Sequence, residues 1–190
     1  MNNICECTVN RIAEKLKKER VIDVNNLDAY KFGIEVSILK AIHIISYLAI
    51  ASCMGKIMEF IVFFAVFSAF RQNIGGFHAK TRIGCYLFSC FVIFMSLLAT
   101  ELNLELWMMV LITIFDIIIL FILAPVQNSN RKLDLDEFEY FRYRLITVSI
   151  MFAIIYMITI GLKGLQLISL YTIGVSLGTV LTILGKIQSE

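Results

Sequence analysis

Arg71-Gln72-Asn73-Ile74-Gly75-Gly76-Phe77-His78-Ala79-Lys80-Thr81-Arg82-Ile83-Gly84-Cys85 is a short polar, glycine-rich break between two apolar runs, Ile57 to Phe70 before it and Gly84 to Thr100 after it. How this break is read decides the fold. If the flanking runs cross a hydrocarbon layer, the break is a turn at one membrane face and the chain is a string of such crossings. The break also holds one of the two histidines of the chain, three cationic side chains (Arg71, Lys80 and Arg82) and, at its end, a cysteine. Chemistry, if the chain performs any, is concentrated here.

Working outward, further apolar runs cover Ile34 to Met54, Leu106 to Ala124, Leu145 to Leu162 and Leu165 to Leu184. Pro125 closes the fourth run, because a proline removes a backbone donor and clashes with the preceding turn. About twenty apolar residues cross a bilayer as a helix, so six spans are expected, the second completed by Arg71 and Gln72 at the interface. Composition agrees: the chain is 59% hydrophobic and 17% charged, whereas soluble domains are about half apolar and a quarter charged. A membrane β-barrel would show short segments of alternating polarity, which the continuous run from Ile61 to Phe70 excludes. The expected fold is all-α: a polytopic membrane helical bundle of about six transmembrane helices. Residues 1–190 read as one membrane domain, with 1–33 a cytoplasmic amphipathic segment and 34–185 the bundle carrying the loop 71–85.

Lysine and arginine placement orients the bundle. Fourteen of the seventeen cations fall in the N-terminal segment, in the loop at 71–85, in the loop at 126–144 and in the C-terminal tail, while only Lys56 and Lys163 lie in the alternate connections and Lys40 lies within a span. The positive-inside tendency then puts both termini and the polar break at the cytoplasmic face. The first 33 residues lack the apolar core of a cleavable signal. Val9, Ile12, Ala13 and Leu16 recur at helical spacing opposite Arg11, Lys15, Lys17 and Lys18. That pattern suits a basic amphipathic helix on an anionic membrane and equally a solvated charged tail.

Charges inside the spans are expensive in hydrocarbon. Lys40 and Asp116 are read as an ion pair between spans, Glu59 as interfacial and His43 as hydrogen-bonded within its helix. Five cysteines, an odd number, form no secreted-domain framework. Gly174 and Gly178 carry the Gly-x-x-x-Gly spacing that lets two membrane helices approach closely; this face serves either a homodimer or packing inside the chain's own bundle.

Within the break, His78 and Cys85 are the types that make a nucleophile and its base. The reactive form of a cysteine is the thiolate, and Cys85 falls at a helix start, where negative charge is favoured. On one continuous helix, seven residues would separate the two side chains by roughly 10 Å along the axis. A Cys/His dyad therefore needs a bend between them, which Gly75, Gly76 and Gly84 permit. An ordinary loop with an interfacial histidine and a buried cysteine fits the same residues. Zinc held by His78, Cys85 and Cys90 is a third reading, without the close-set ligand pairs of common zinc sites.

The run Arg71-x-x-x-Gly75-Gly76-x-His78-Ala79, with Cys85 and Ser89 following, resembles the signature of the accessory gene regulator B (AgrB) family. Ala124-Pro125-Val126 with Asn128 and Asn130 is similar to that family's second recurring patch. The resemblance implies a membrane cysteine endopeptidase of Gram-positive bacteria that processes an AgrD-like quorum-sensing precursor peptide and needs no cofactor, metal or nucleic acid. His78 would be the general base and Cys85 the nucleophile. It implies attack on a peptide bond, a thioester on Cys85, and closure of a thiolactone or lactone ring by an internal thiol or hydroxyl of the peptide. Arg71, Lys80, Arg82, Arg131 and Lys132 would attract an acidic precursor tail, or serve topology alone. Gln72 and Asn73 are candidates either to orient His78 or to donate to an oxyanion, and Gly75 and Gly76 shape the loop. A homodimer is expected beside the precursor and the lipid bilayer. The rival readings are a small peptide exporter, with Lys40 and Asp116 lining its path, and a non-catalytic membrane scaffold.

Overall fold

A computed structural model describes residues 9–11, 14–15, 27–77, 79, 81–127 and 133–189. Six long helices follow one another: α1 (Leu27–Cys53), α2 (Ile57–Ile74), α3 (Arg82–Ala99), α4 (Leu106–Leu123), α5 (Leu135–Gly161) and α6 (Leu165–Ser189). Each is long and apolar enough to cross a membrane. The fold is the expected all-helical, multi-pass membrane bundle. Of the N-terminal amphipathic pattern, Val9, Arg11 and Lys15 are helical and described, while Ile12, Ala13, Leu16, Lys17 and Lys18 lie outside the described residues.

Helix ends depart from the apolar runs in a consistent direction. α1 begins seven residues before Ile34, and α5 begins at Leu135, ten before Leu145. A helix satisfies its own backbone whatever its side chains, so it can continue past the hydrocarbon. Asp28 in α1, and Asp136 and Glu137 in α5, occupy first turns, where acidic groups complement the positive end of the helix. Farther along α5, the Arg144 guanidinium lies over the Tyr140 ring and donates to its hydroxyl at 3.2 Å.

The chain divides into two compact units, residues 1–49 and 50–190. In the first, α1 carries His43, whose Nδ1 is 3.2 Å from the Tyr47 hydroxyl. The second is organised around α6, which packs extensively on α2 and α4, also on α5, and lightly on α3. Phe70, Ile74, Leu120, Leu145, Phe152, Tyr156, Ile168 and Val175 form its core. Other large apolar residues, such as Phe91, Phe115, Ile122 and Ile150, face outward, as expected where the surrounding solvent is lipid.

Lipid removes the hydrophobic drive for helices to associate, leaving close packing and interhelical hydrogen bonds. Both are present on α6. A Cβ at Gly174 would lie 2.8 Å from the Phe63 carbonyl oxygen, and one at Gly178 would lie 3.2 Å from Ile74 Cδ1. The Gly-x-x-x-Gly face is thus consumed by α2 within the chain. A neighbouring face of α6 is hydroxylic. Thr113, Tyr156 and Thr172, from α4, α5 and α6, form a buried triangle of hydroxyls 3.0–3.2 Å apart. Asp116 accepts a hydrogen bond from Ser176 on α6. Asp116 thus has a hydroxyl partner within its own unit; Lys40, in the first unit, is exposed.

α3 is peripheral. Its buried residues, Ile93, Ser96 and Leu97, all lie in its second half. There Lys56, preceding α2, fastens it by donating to the Leu97 carbonyl (2.9 Å), the Thr100 hydroxyl (3.0 Å) and Glu101 (2.8 Å). The opposite end of α3 carries the cysteine of the polar break.

Candidate functional site

α2 does not stop at its last apolar residue. It runs on through Arg71, Gln72 and Asn73 to Ile74 and ends at Gly75. Gly75 and Gly76 have φ of +69° and +128°, a region costly for any residue with a Cβ. Space is equally restrictive, because a Cβ at Gly75 would lie 2.4 Å from the Val126 carbonyl oxygen. The glycine pair is therefore a sharp turn pressed against other backbone.

Two distant segments form the walls of that turn. On one side Val126 pairs with Gly75 as an isolated parallel bridge, its N–H donating to the Ile74 carbonyl at 3.0 Å. Val126 follows Ala124-Pro125, whose peptide bond is cis. The two patches that looked separate along the sequence are thus in contact. On the other side the Phe77 N–H donates to the Leu181 carbonyl of α6 at 2.9 Å. The Phe77 carbonyl accepts from Arg71 Nη2 at 3.1 Å. Both polar backbone groups of Phe77 are held, one by α6 and one by α2. The other terminal nitrogen of Arg71, Nη1, is buried without a hydrogen-bond partner among the described residues. It packs where a Cβ at Gly76 would meet it at 2.2 Å.

Across the turn stands the start of α3. Thr81 is its N-cap: its hydroxyl accepts from the Gly84 N–H at 3.1 Å, and its carbonyl accepts from the Cys85 N–H at 2.9 Å. Cys85 therefore occupies the first turn, at the helix end that accommodates negative charge. Its thiol is free and partly buried. The Phe77 ring packs on Phe88 with centroids 5.0 Å apart. Phe88 is three residues beyond Cys85, so the two share a helix face. The aromatic contact couples the turn to the helix that holds the sulfur.

The structure therefore brings Arg71, Gly75, Gly76 and Cys85 together around Phe77. Gln72 is exposed on α2, and Arg82 is exposed in the first turn of α3. Asn73 is buried: its amide nitrogen donates to the Ala69 carbonyl at 2.8 Å, and its Oδ1 has no partner. It is thus turned into its own helix rather than offered as an oxyanion donor. His78, Lys80, Arg131 and Lys132, with Asn128 and Asn130, lie outside the described residues.

For the zinc alternative, Cys85 and Cys90 are five residues apart on one helix and point about 140° apart around its axis, which rules out their joint ligation of one ion. Among the described residues no group of three or more His, Cys, Asp or Glu side chains gathers in a way that would hold a metal.

Leu181 and Gly185 belong to the site and were not singled out from the sequence, which named Val126 only as part of the Ala124-Pro125-Val126 patch. One signal was available for Gly185. It follows Gly178 by seven residues, two helical turns, and so continues the small face of Gly174 and Gly178 toward the turn.

A family model described as Accessory gene regulator B matches residues 9–185. No curated protein and no solved structure matches the chain.

Proposed function

We propose, from the premise that this chain belongs to the accessory gene regulator B family, that it is a membrane cysteine endopeptidase that cuts and cyclises a quorum-sensing precursor peptide. Cys85 is the nucleophile and His78 the general base. The observation that carries the reading is the placement of Cys85 in the first turn of α3, across the Phe77–Phe88 contact from a turn fixed by Arg71, Leu181 and two glycines.

In this mechanism the Cys85 thiolate adds to a peptide carbonyl of the precursor, its proton having passed to His78. The tetrahedral adduct collapses, the C–N bond breaks, and the departing amine of the C-terminal tail takes the proton from His78. The remaining peptide stays on Cys85 as a thioester. An internal thiol or hydroxyl of that peptide then attacks the thioester carbonyl and expels the Cys85 thiolate, leaving a thiolactone or lactone. Exchange of one thioester for another is close to balanced, whereas direct conversion of an amide to a thiolactone is uphill, so the acyl-enzyme makes the route workable. Holding the internal nucleophile against the thioester raises its effective concentration by orders of magnitude. Water must be kept from the thioester meanwhile, and the half-buried setting of Cys85 and Phe77 at the end of an apolar bundle serves that need. With the cationic loops inside, the reaction takes place at the cytoplasmic face. Arg82, Lys80, Arg131 and Lys132 draw in the acidic tail.

The test is co-expression with a candidate precursor, followed by mass spectrometry of the peptide and of Cys85. The native chain should release the tail and carry a transient acyl group on Cys85. Cys85→Ala and His78→Ala should yield intact precursor. Mature product from Cys85→Ala would overturn the reading.

A further inference from the structure

Gly185, near the end of α6, faces the turn of the candidate site across a close backbone contact. A Cβ at position 185 would lie 2.5 Å from the Gly76 carbonyl carbon, 2.6 Å from Gly76 Cα and 2.6 Å from the Phe77 nitrogen. All three are backbone atoms, which cannot swing aside as a side-chain tip can. The contact is closed from the other direction as well. A Cβ at Gly76 would sit 2.8 Å from the Leu181 carbonyl oxygen, one helical turn before Gly185, as well as 2.2 Å from Arg71 Nη1. Backbone therefore lies directly on backbone, with the Phe77–Leu181 hydrogen bond at the same place. Other glycines differ: a Cβ at Gly178 would meet only side-chain atoms, and one at Gly161 would meet nothing within 4 Å.

We propose that Gly185 is a positioning residue for the reaction at Cys85, its bare Cα forming the seat on which Gly76 and Phe77 rest. The proposal builds on the peptidase reading above. Ordinary carbon contacts fall at about 3.5–4.0 Å, so a methyl group at 185 displaces the Gly76–Phe77 backbone by about 1 Å. Phe77 passes that displacement on, because Arg71 holds its carbonyl and Phe88, on the Cys85 face of α3, holds its ring. A misplacement of about 1 Å between reacting groups costs on the order of 10²-fold in rate.

The test compares the native full chain with Gly185→Ala, Gly185→Val and Gly161→Ala, in nanodiscs, by precursor cleavage kinetics and by hydrogen exchange read at Phe77. For Gly185→Ala the expected result is a fall in kcat of about 10²-fold with KM held within about twofold. Exchange at the Phe77 amide should accelerate at least about tenfold while α4 and α5 keep native protection. Gly185→Val should lose more, and Gly161→Ala nothing. Native turnover in a folded Gly185→Ala, or unchanged exchange at Phe77, would overturn the proposal. Should Gly185→Ala not fold, the native chain decides: a Phe77 amide that exchanges as fast as an unprotected loop amide overturns it, and a protected one supports it. The peptidase reading fails separately, by a native chain that leaves the precursor intact. The exchange arm judges the seat in either case.

Discussion

The Val126 N–H donates to the Ile74 carbonyl at 3.0 Å, joining the segment after Pro125 to the end of α2 and giving the glycine turn a second wall. Gly75 sits in this joint with φ +69° and its Cα against the Val126 carbonyl. Gly75→Ala meets both obstacles, a left-handed backbone and a 2.4 Å approach to the Val126 oxygen. Such strain costs about 1–3 kcal/mol. The expected outcome is a lower unfolding midpoint in detergent together with loss of precursor cleavage. An unaltered melting curve with native cleavage would show that the joint is not as tight as described.

Lys56 donates to three acceptors at the far end of α3, and its partners differ in worth. The Glu101 side chain is 68% exposed, and an exposed ion pair contributes about 0–1 kcal/mol. Glu101→Gln should therefore barely alter stability. Lys56→Met removes the donor to the Leu97 carbonyl and the Thr100 hydroxyl as well; these two still bond each other at 2.8 Å, so the loss is that of the two lysine hydrogen bonds, about 0.5–1.5 kcal/mol each. Equilibrium unfolding of the two variants should rank them in that order, with α3 the first helix to gain exchange in Lys56→Met.

The hydroxyl triangle of Thr113, Tyr156 and Thr172 links three helices inside the bundle. Hydrogen bonds of this kind in membrane bundles average about 0.6 kcal/mol and reach about 1.7 kcal/mol. A double-mutant cycle of Thr113→Val and Tyr156→Phe should return a coupling energy in that range by unfolding in mixed detergent. A coupling of zero would mean that the two hydroxyls do not meet in the membrane.

Asp116 separates the peptidase from the exporter. Its carboxylate is buried and bonded to Ser176, a hydrogen bond that an asparagine oxygen can also accept. Asp116→Asn should keep precursor maturation, while Cys85→Ala should lose it by about 10³-fold or more, as when a covalent nucleophile is removed. The opposite pattern would favour a transport path through the bundle. Chelating agents should leave maturation unchanged.

The six spans and the helical turn-around at Gly75-Gly76 were legible in the chain because length, hydropathy and glycine content are local properties. The first turns of α1 and α5 were not, since Asp28 and Asp136 look like loop residues until the helix is seen to extend beyond the hydrocarbon. Nor could the sequence show that Gly174 and Gly178 face α2, or that Asp116 bonds to Ser176, because partners across a bundle leave no trace in spacing. The candidate site divides in the same way. Cys85 and the glycine pair stand out by type and order. Leu181 acts through its backbone carbonyl, which any residue would supply, so nothing in its side chain announces it.

The seating of Phe77 on α6 has a consequence for biogenesis. A ribosome lengthens the chain by about 5–20 residues per second and earlier segments enter the membrane first, so α2, the glycine turn and Cys85 are delivered well before Leu181 and Gly185 exist. During that interval the turn lacks its backing, so the proposed peptidase should be inert toward any peptide bond it meets. Under the proposed peptidase reading, competence for cleavage should arrive only with the insertion of α6, which would make completion of the bundle its own safety catch.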